Sequence, residues 1–342
     1  MLESASRGLA EAGTCAQTPR GRAQTVLDAV VRHVPCDAAW VAMVDPDGHG
    51  YTSQASANLS RSTTAHLAGP RTARDIELTH TDRRRPPLSA SDLPYPAAEL
   101  STWAGCLFPA GVHEALAVAL VDHQQRHVGF LALLYGSRSP PEASLRHALH
   151  HLAPLVAVGV DPLRHLAAAA QLLDGATAGA VLYRRGENGG LPGLGVDALL
   201  GAGSPLLRVA RSLLGGGRPF CSFLWPRGGR HAPDGHTRVV VLADEQHSSA
   251  SVLGAVVLTA VTSCRGLTPR ELEVLGQLVE GRSNAQIARE LVLAPRTVAA
   301  HVEHVLRKLD APTRTLAAVR ADREGLYVPS ALSTEPDAGD PT

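Results

Sequence analysis

Residues 267–328 read LTPRELEVLGQLVEGRSNAQIARELVLAPRTVAAHVEHVLRKLDAPTRTLAAVRADREGLYV, and start and stop signals alone divide them into four helices. Thr268, Pro269 and Glu271 make the first start: a hydroxyl N-cap, a proline at the first helical position and a glutamate three residues after the cap, which satisfy or remove amide donors left open at a helix start. Leu272, Leu275, Leu278 and Val279 then share one apolar face, and Gly281 is placed to end the helix in the left-handed conformation. Ser283 and Gln286 repeat the capping spacing, so a second helix follows within a few residues, with Ile287, Ala288 and Leu291 as its buried side. Beyond Val292 and Leu293, Ala294 and Pro295 open a third helix on which Val298, Val302, Val305 and Leu309 form one stripe facing the other helices. Arg296, Ala300, Glu303 and Arg307 form the opposite stripe. A fourth helix runs roughly from Arg314 to Glu324 and stops at Gly325. A short helix, a tight turn and a second helix with exposed early residues is the geometry that brings a recognition helix, N-terminal end first, into a DNA major groove.

The segment resembles the LuxR-type helix-turn-helix domain of bacterial transcription regulators, on LTPRE, GRSNAQIARELVLAPRTVAAHV, LRKL and the closing EGL. The resemblance implies an all-α four-helix module over residues 264–329, with the helix-turn-helix proper from Asn284 to Glu303 and a fourth helix that makes a homodimer contact. Such a dimer reads an approximate inverted repeat in double-stranded promoter DNA, and RNA polymerase is the expected protein partner. The DNA-contacting set this implies is Arg282, Asn284, Arg296, Thr297, Val298, Ala299, Ala300, His301, Arg307, Lys308 and Arg314. Among these, Arg282, Arg296, Arg307, Lys308 and Arg314 are the cations expected at phosphates and bases.

Three positions depart from the family pattern. Ala294 stands where a hydroxyl residue is usual and supplies no N-cap oxygen, a cap worth roughly 1 kcal/mol. Ala299 and Ala300 replace polar or basic side chains, which shifts recognition toward methyl contacts, DNA shape and Arg296. Asp310 replaces the usual glycine after the third helix, where aspartate tolerates the left-handed conformation less easily. From Gly266 to Val328 nine basic residues face eight acidic ones, a net charge of +1, so placement of cations near phosphates matters more than their sum.

The chain of 342 residues has room for two or three domains, and its formal charge is zero. No apolar run approaches the roughly 18 residues needed to span a bilayer, and the first residues lack the apolar region of a signal peptide, so the expected location is cytoplasmic without membrane contact. Cys15, Cys36, Cys106, Cys221 and Cys264 are scattered, odd in number and without a C-x-x-C pair, which argues against a disulfide framework and a zinc site. The basic residues are 31 Arg and one Lys, Lys308. A phosphate-binding Walker A loop needs a lysine that the first 300 residues do not offer, and the acid-plus-lysine set of a phosphoreceiver domain is missing for the same reason.

Residues 21–162 read as helix, strands, irregular stretch, strands, helix. Val26, Val30 and Val34 share a helical face; AAWVAMV is a buried strand; Asp45 to Gly48 form a turn before a strand from Tyr51 to Ala55; Ala115–Val121 and Val128–Tyr135 flank HQQRH as a hairpin; and Pro140 and Pro141 precede a helix. The order resembles the GAF-like sensory fold, an antiparallel sheet with helices on one side. By that resemblance the Pro-, Ser-, Thr- and Arg-rich span 61–111 supplies loops over a ligand pocket. Residues 165–262 read as a second α/β unit of PAS or GAF kind, with helices at 166–173 and 205–214, strands at 178–183, 238–243 and 252–260, and Gly-rich loops at 186–203, 215–217 and 226–235. Residues 1–20 and 330–342 are expected to be disordered. The expected architecture is thus multidomain: an α+β, GAF/PAS-like N-terminal sensory region that receives a small-molecule or protein signal, followed by the all-α helix-turn-helix module.

Other features carry less. Gly193, Gly195 and Ala198 fit a dinucleotide fingerprint but lack the strand and βαβ unit it needs. His147, His150 and His151 could share a helical face, and His123 and His127 bracket the hairpin, but clustering is ordinary among 16 histidines, and no metal is expected. Trp40, Trp103 and Trp225 could line a ligand pocket, but large aromatics in a core with few others are by default core residues. No nucleophile elbow, metal-ligand spacing or phosphate loop supports catalysis, and no cofactor is expected. The competing function is a signalling protein whose helical module dimerises or binds a partner without reading DNA.

Overall fold

This computed structural model describes residues 19–45, 50–82, 86–121, 126–229, 232–244 and 252–330. The chain divides into two compact units, one ending at Arg164 and the other beginning at His165.

In the first unit, helix α1 (Pro19–His33) leads into β1 (Ala38–Val44) and β2 (Tyr51–Ala57). Strands β3 (Leu88–Ser89), β4 (Glu114–Val121) and β5 (His127–Tyr135) complete an antiparallel sheet of order β2-β1-β5-β4-β3, and α4 (Ala143–Val160) follows. The two-residue alternation of strands separates two cores. On one face Val41, Leu116, Leu131 and Leu133 pack under Val26, Leu27 and Val30 of α1 and Leu149, Leu152 and Val156 of α4. On the other face Trp40, Phe130 and Leu134 meet Leu67, Ile76 and Trp103. This is an α+β unit built on one antiparallel sheet, in the element order expected of a GAF-like fold.

The span 61–111 departs from its expected irregularity. It holds α2 (Arg61–Leu67), α3 (Pro70–Thr79), short helical turns at 90–92 and 97–99, and a π-helical turn at Trp103–Leu107. Ser60 caps α2 by accepting from the Thr63 amide, and Pro70 opens α3. Each helix buries only one large apolar side chain, Leu67 or Ile76, too few for a periodic signal. Pro19 and Arg20, expected to be disordered, already belong to α1; residues 1–18 and 331–342, most of the expected turn at 45–48 and most of HQQRH lie outside the described residues.

In the second unit, α5 (Arg164–Gln171), β6 (Ala176–Tyr183), β7 (Asn188–Gly190), α6 (Pro205–Gly215), β8 (Phe220–Pro226), β9 (His236–Ala243) and β10 (Val252–Thr259) form a sheet of order β7-β6-β10-β9-β8. Both sheets therefore follow one path, with the second strand beside the first, then the fifth, fourth and third. Two strands were not expected. β7 is three residues inside a glycine-rich stretch, and FCSFLWP of β8 is buried from Cys221 onward on both faces, so it lacks the alternation of a half-exposed strand.

Four helices follow, α7 (Pro269–Val279), α8 (Asn284–Glu290), α9 (Pro295–Lys308) and α10 (Arg314–Glu324), as their sequence signals require. One apolar core runs from Phe223, Val239 and Val256 of the second sheet into Leu272, Val298, Val305 and Tyr327. The Leu224 amide of edge strand β8 donates to the Tyr327 carbonyl at 2.8 Å, and the Arg238 guanidinium donates to the Glu324 carbonyl. The Val328 amide reaches the Leu272 carbonyl at 3.2 Å. This approach is close enough that a Cβ on Gly276 would overlap the Val328 carbonyl oxygen, which is why α7 carries glycine there.

Candidate nucleic-acid interface

The frame of the site is set by its helix caps. The Thr268 hydroxyl accepts from the Glu271 amide at 3.3 Å, while the Glu271 carboxylate accepts from the Thr268 amide at 2.7 Å. The same carboxylate, on a residue only 3 % exposed, accepts from the Lys308 ammonium at 2.6 Å and so ties the start of α7 to the end of α9. Burial by itself would raise the Glu271 pKa, but the bonds from Lys308 and Thr268 outweigh it and hold the carboxyl below the usual glutamate range. Ser283 and Gln286 form the second capping box, with the Ser283 amide donating to Gln286 Oε1 at 2.8 Å.

Between α8 and α9 the chain turns through Val292, which has φ +52° and is 89 % exposed; the Leu293 amide closes the turn on the Ala288 carbonyl at 2.8 Å. Ala294 is the N-cap of α9 and makes no side-chain capping bond. Val298 and Val305 of α9 are fully buried. Val298, expected among the DNA contacts, is thereby corrected to a core residue: its side chain seats the recognition helix and cannot reach a groove. Arg296, Ala299, Ala300, Glu303 and Arg307 are exposed along α9, and Thr297 and His301 are partly exposed at its flank.

The cations divide into two groups. Arg282 is ion-paired to Glu290 at 2.6 Å and to Glu280 at 3.1 Å, Lys308 is held by Glu271, and Arg314 donates to the Arg282 carbonyl. Among the described residues, Arg296 and Arg307 make no ion pair and extend from α9. Arg289 on α8 is a further exposed cation, absent from the expected set; its place opposite Ile287 and Ala288 was the available signal. Asn284 begins α8, and its Oδ1 is buried without a hydrogen-bond partner. Arg320, also unexpected, donates to the carbonyls of Leu309 at 2.6 Å and Asp310 at 2.7 Å, closing the end of α9 where Asp310 takes φ +50°. On α10, Thr315, Val319 and Arg323 leave one face open.

Elsewhere, His147 and His151 lie edge to face on α4 with ring centroids 4.3 Å apart, and among the described residues no group of three or more His, Cys, Asp or Glu side chains could hold a metal ion. No single helix among them is long and apolar enough to cross a membrane.

A helix-turn-helix with an exposed recognition face thus ends the chain. Residues 265–321 match the family of bacterial regulatory proteins, luxR family, so the C-terminal module is a LuxR-family helix-turn-helix domain. The segment is 47 % identical over 60 residues to the transcriptional regulatory protein LiaR of Bacillus subtilis, covering 18 % of this chain and 28 % of LiaR. It is 36 % identical over 78 residues to the nitrate/nitrite response regulator protein NarL of Escherichia coli, covering 23 % of this chain and 36 % of NarL. The likeness to these curated relatives thus spans about a third of their length or less. Among solved structures, the GAF domain from a phosphoenolpyruvate-protein phosphotransferase of Coxiella burnetii aligns at 14 % identity and a TM-score of 0.35, over 50 % of this chain and 97 % of that one.

Proposed function

We propose that this protein is a DNA-binding transcription regulator: the four-helix module reads promoter DNA as a homodimer, and the GAF-like first unit receives the signal. The observation that carries the proposal is the face of α9, where Arg296 and Arg307 flank two small alanines on a helix seated by Val298 and Val305. A helix presented this way can approach base edges closely, with cations at hand for phosphates. On this reading Arg296, Ala299, Ala300 and His301 face the groove, with Thr297 and Asn284 beside them. Arg307, Arg289, Arg282, Lys308 and Arg314 face the backbone, the last three only in so far as they leave their present partners. The open face of α10 around Val319 is the proposed dimer contact, RNA polymerase the proposed protein partner and the cytoplasm the proposed location.

Binding-site selection from random DNA, with the full chain at fixed moderate salt, tests the proposal. The expected result is enrichment of an inverted repeat; no enriched sequence would remove it. A second reading, a partner surface that does not read DNA, is favoured by one observation: Arg282 and Lys308 are already engaged by acids of their own module. That reading expects association with a protein partner that DNA does not compete away.

A further inference from the structure

The sheet of the first unit is packed differently on its two faces. Toward α1 and α4 strands β4 and β5 present Leu116, Val118, Leu131 and Leu133, whereas toward α2 and α3 the same two strands present Ala115, Ala117 and Ala132 beside Phe130 and Leu134. Strand pairing sets Trp40 opposite Ala132, Ala132 opposite Ala117, and Ala117 opposite Leu88. Two adjacent alanines therefore lie in a row between a tryptophan and a leucine, with neighbouring strands about 4.8 Å apart. Above this row is a cavity of about 90 Å³, walled by Trp103 and covered by α3. A dry cavity of about 150 Å³ admits benzene, so this one takes a single small ring only as α3 and Trp103 give way around it.

Most polar groups of the cavity, Thr72, Asp75, Thr79 and Thr102, lie on or beside α3, while Ser89 lies on β3. Asp75, 8 % exposed, lines it and accepts from the Thr102 amide at 2.7 Å and from the Ser101 hydroxyl at 3.2 Å. A carboxylate offers about four acceptor sites, so acceptor capacity remains. The Thr102 hydroxyl donates to the Thr72 hydroxyl at 3.1 Å. Among the described residues the lining contains no Arg, Lys or His, and Asp75 has no ion pair. An anion brought into such a cavity would lose its hydration and meet the field of the Asp75 carboxylate. A ring with an O–H or N–H donor would bury its apolar body on the alanines and direct the donor to Asp75.

We infer that the cavity between the alanine row and α3 is a binding site for a small apolar ring that carries a hydrogen-bond donor and no negative charge. The inference rests on the reading of the first unit as the signal-receiving part, and it names the chemistry of that signal.

Titration of the full chain with phenol and with benzoate, followed by tryptophan fluorescence because Trp40 and Trp103 line the cavity, tests it; DNA selection is run on the same preparation. Phenol is expected to give a saturable change and benzoate at least tenfold weaker binding. Asp75→Asn should weaken phenol about tenfold while leaving toluene unaffected. Ala117→Leu should abolish the response to both, and Ala132→Val serves in its place if that variant does not fold. The absence of a saturable phenol response, benzoate bound as tightly as phenol, or an undiminished response in a folded Ala117→Leu variant would overturn the inference. If DNA selection succeeds while phenol fails, the ligand class is wrong and the regulator reading stands. If phenol binds as expected while DNA selection fails, the site stands and the regulator reading falls.

Discussion

Three residues around the recognition helix carry energetic consequences that can be measured singly. Val292 holds a β-branched side chain at φ +52°, a conformation that costs a non-glycine residue on the order of 1–2 kcal/mol, and its 89 % exposure means that little packing is lost on truncation. Val292→Gly trades that strain against backbone entropy, and denaturant unfolding should find the variant more stable by roughly 1 kcal/mol. Ala294→Ser restores the missing cap of α9 and should add about 1 kcal/mol in the same measurement. Glu271 works in the opposite sense. Its carboxyl titrates below the usual range when folded, so its contribution is present above the unfolded glutamate value of about 4.3 and is lost as pH falls through the depressed folded value. Stability measured against pH should therefore decline more steeply below about 4.3 in the native chain than in Glu271→Gln. The variant should already be weaker at pH 7, where Lys308 is left with a partner unable to ionise. Parallel profiles would mean that the ion pair contributes nothing.

At the scale of elements, legibility followed the range of the interactions that make each element. The four C-terminal helices were readable because their signals lie within a few residues: Thr268 with Glu271, Ser283 with Gln286, and the Val298, Val305 and Leu309 stripe. Strand β8 was not, because FCSFLWP is a strand by virtue of what covers its two faces, namely the second-sheet core and Tyr327, distant in sequence. The helices α2 and α3 were hidden for a related reason, since each is anchored by one local start, the Ser60 cap or Pro70, and one large buried side chain. In the site, sequence placed α9 and its two exposed arginines but could not see that Glu271 and Glu290 engage Lys308 and Arg282, because ion pairing depends on how the helices meet. That division has a kinetic and thermodynamic signature. Arg307→Ala should weaken binding to all DNA sequences and shallow the dependence of log affinity on log salt by about 0.9, whereas Arg296→Ala should in addition relax sequence preference. Lys308→Ala should change the salt slope less than Arg307→Ala, its larger effect falling on stability. Equal slopes for the two variants, measured by fluorescence anisotropy, would place Lys308 on the phosphates despite its bond to Glu271.

At the scale of the second unit as a whole, the helix-turn-helix is not hung on a linker. Phe223 of β8 lies 6.5 Å, centroid to centroid, from Tyr327, and the Leu224 amide and Arg238 guanidinium bind the carbonyls of Tyr327 and Glu324. The sheet and the four helices thus share apolar core and main-chain hydrogen bonds, the kind of contact through which neighbouring residues couple in stability. Phe223 is fully buried, and truncating such a side chain typically costs about 3–5 kcal/mol. If the core is one cooperative unit, Phe223→Ala should lower the opening free energy of amides in β9 and in α7 by the same amount, although α7 belongs to the helical module. Native-state hydrogen exchange on the full chain reads both segments at once. Loss of protection confined to β8, β9 and β10, with α7 unchanged, would mean that the helical module folds independently and that the shared core is contact without coupling. Equal loss in both would mean that a disturbance in the second sheet is felt by the recognition helix, since Val298 and Val305 seat that helix in the same core.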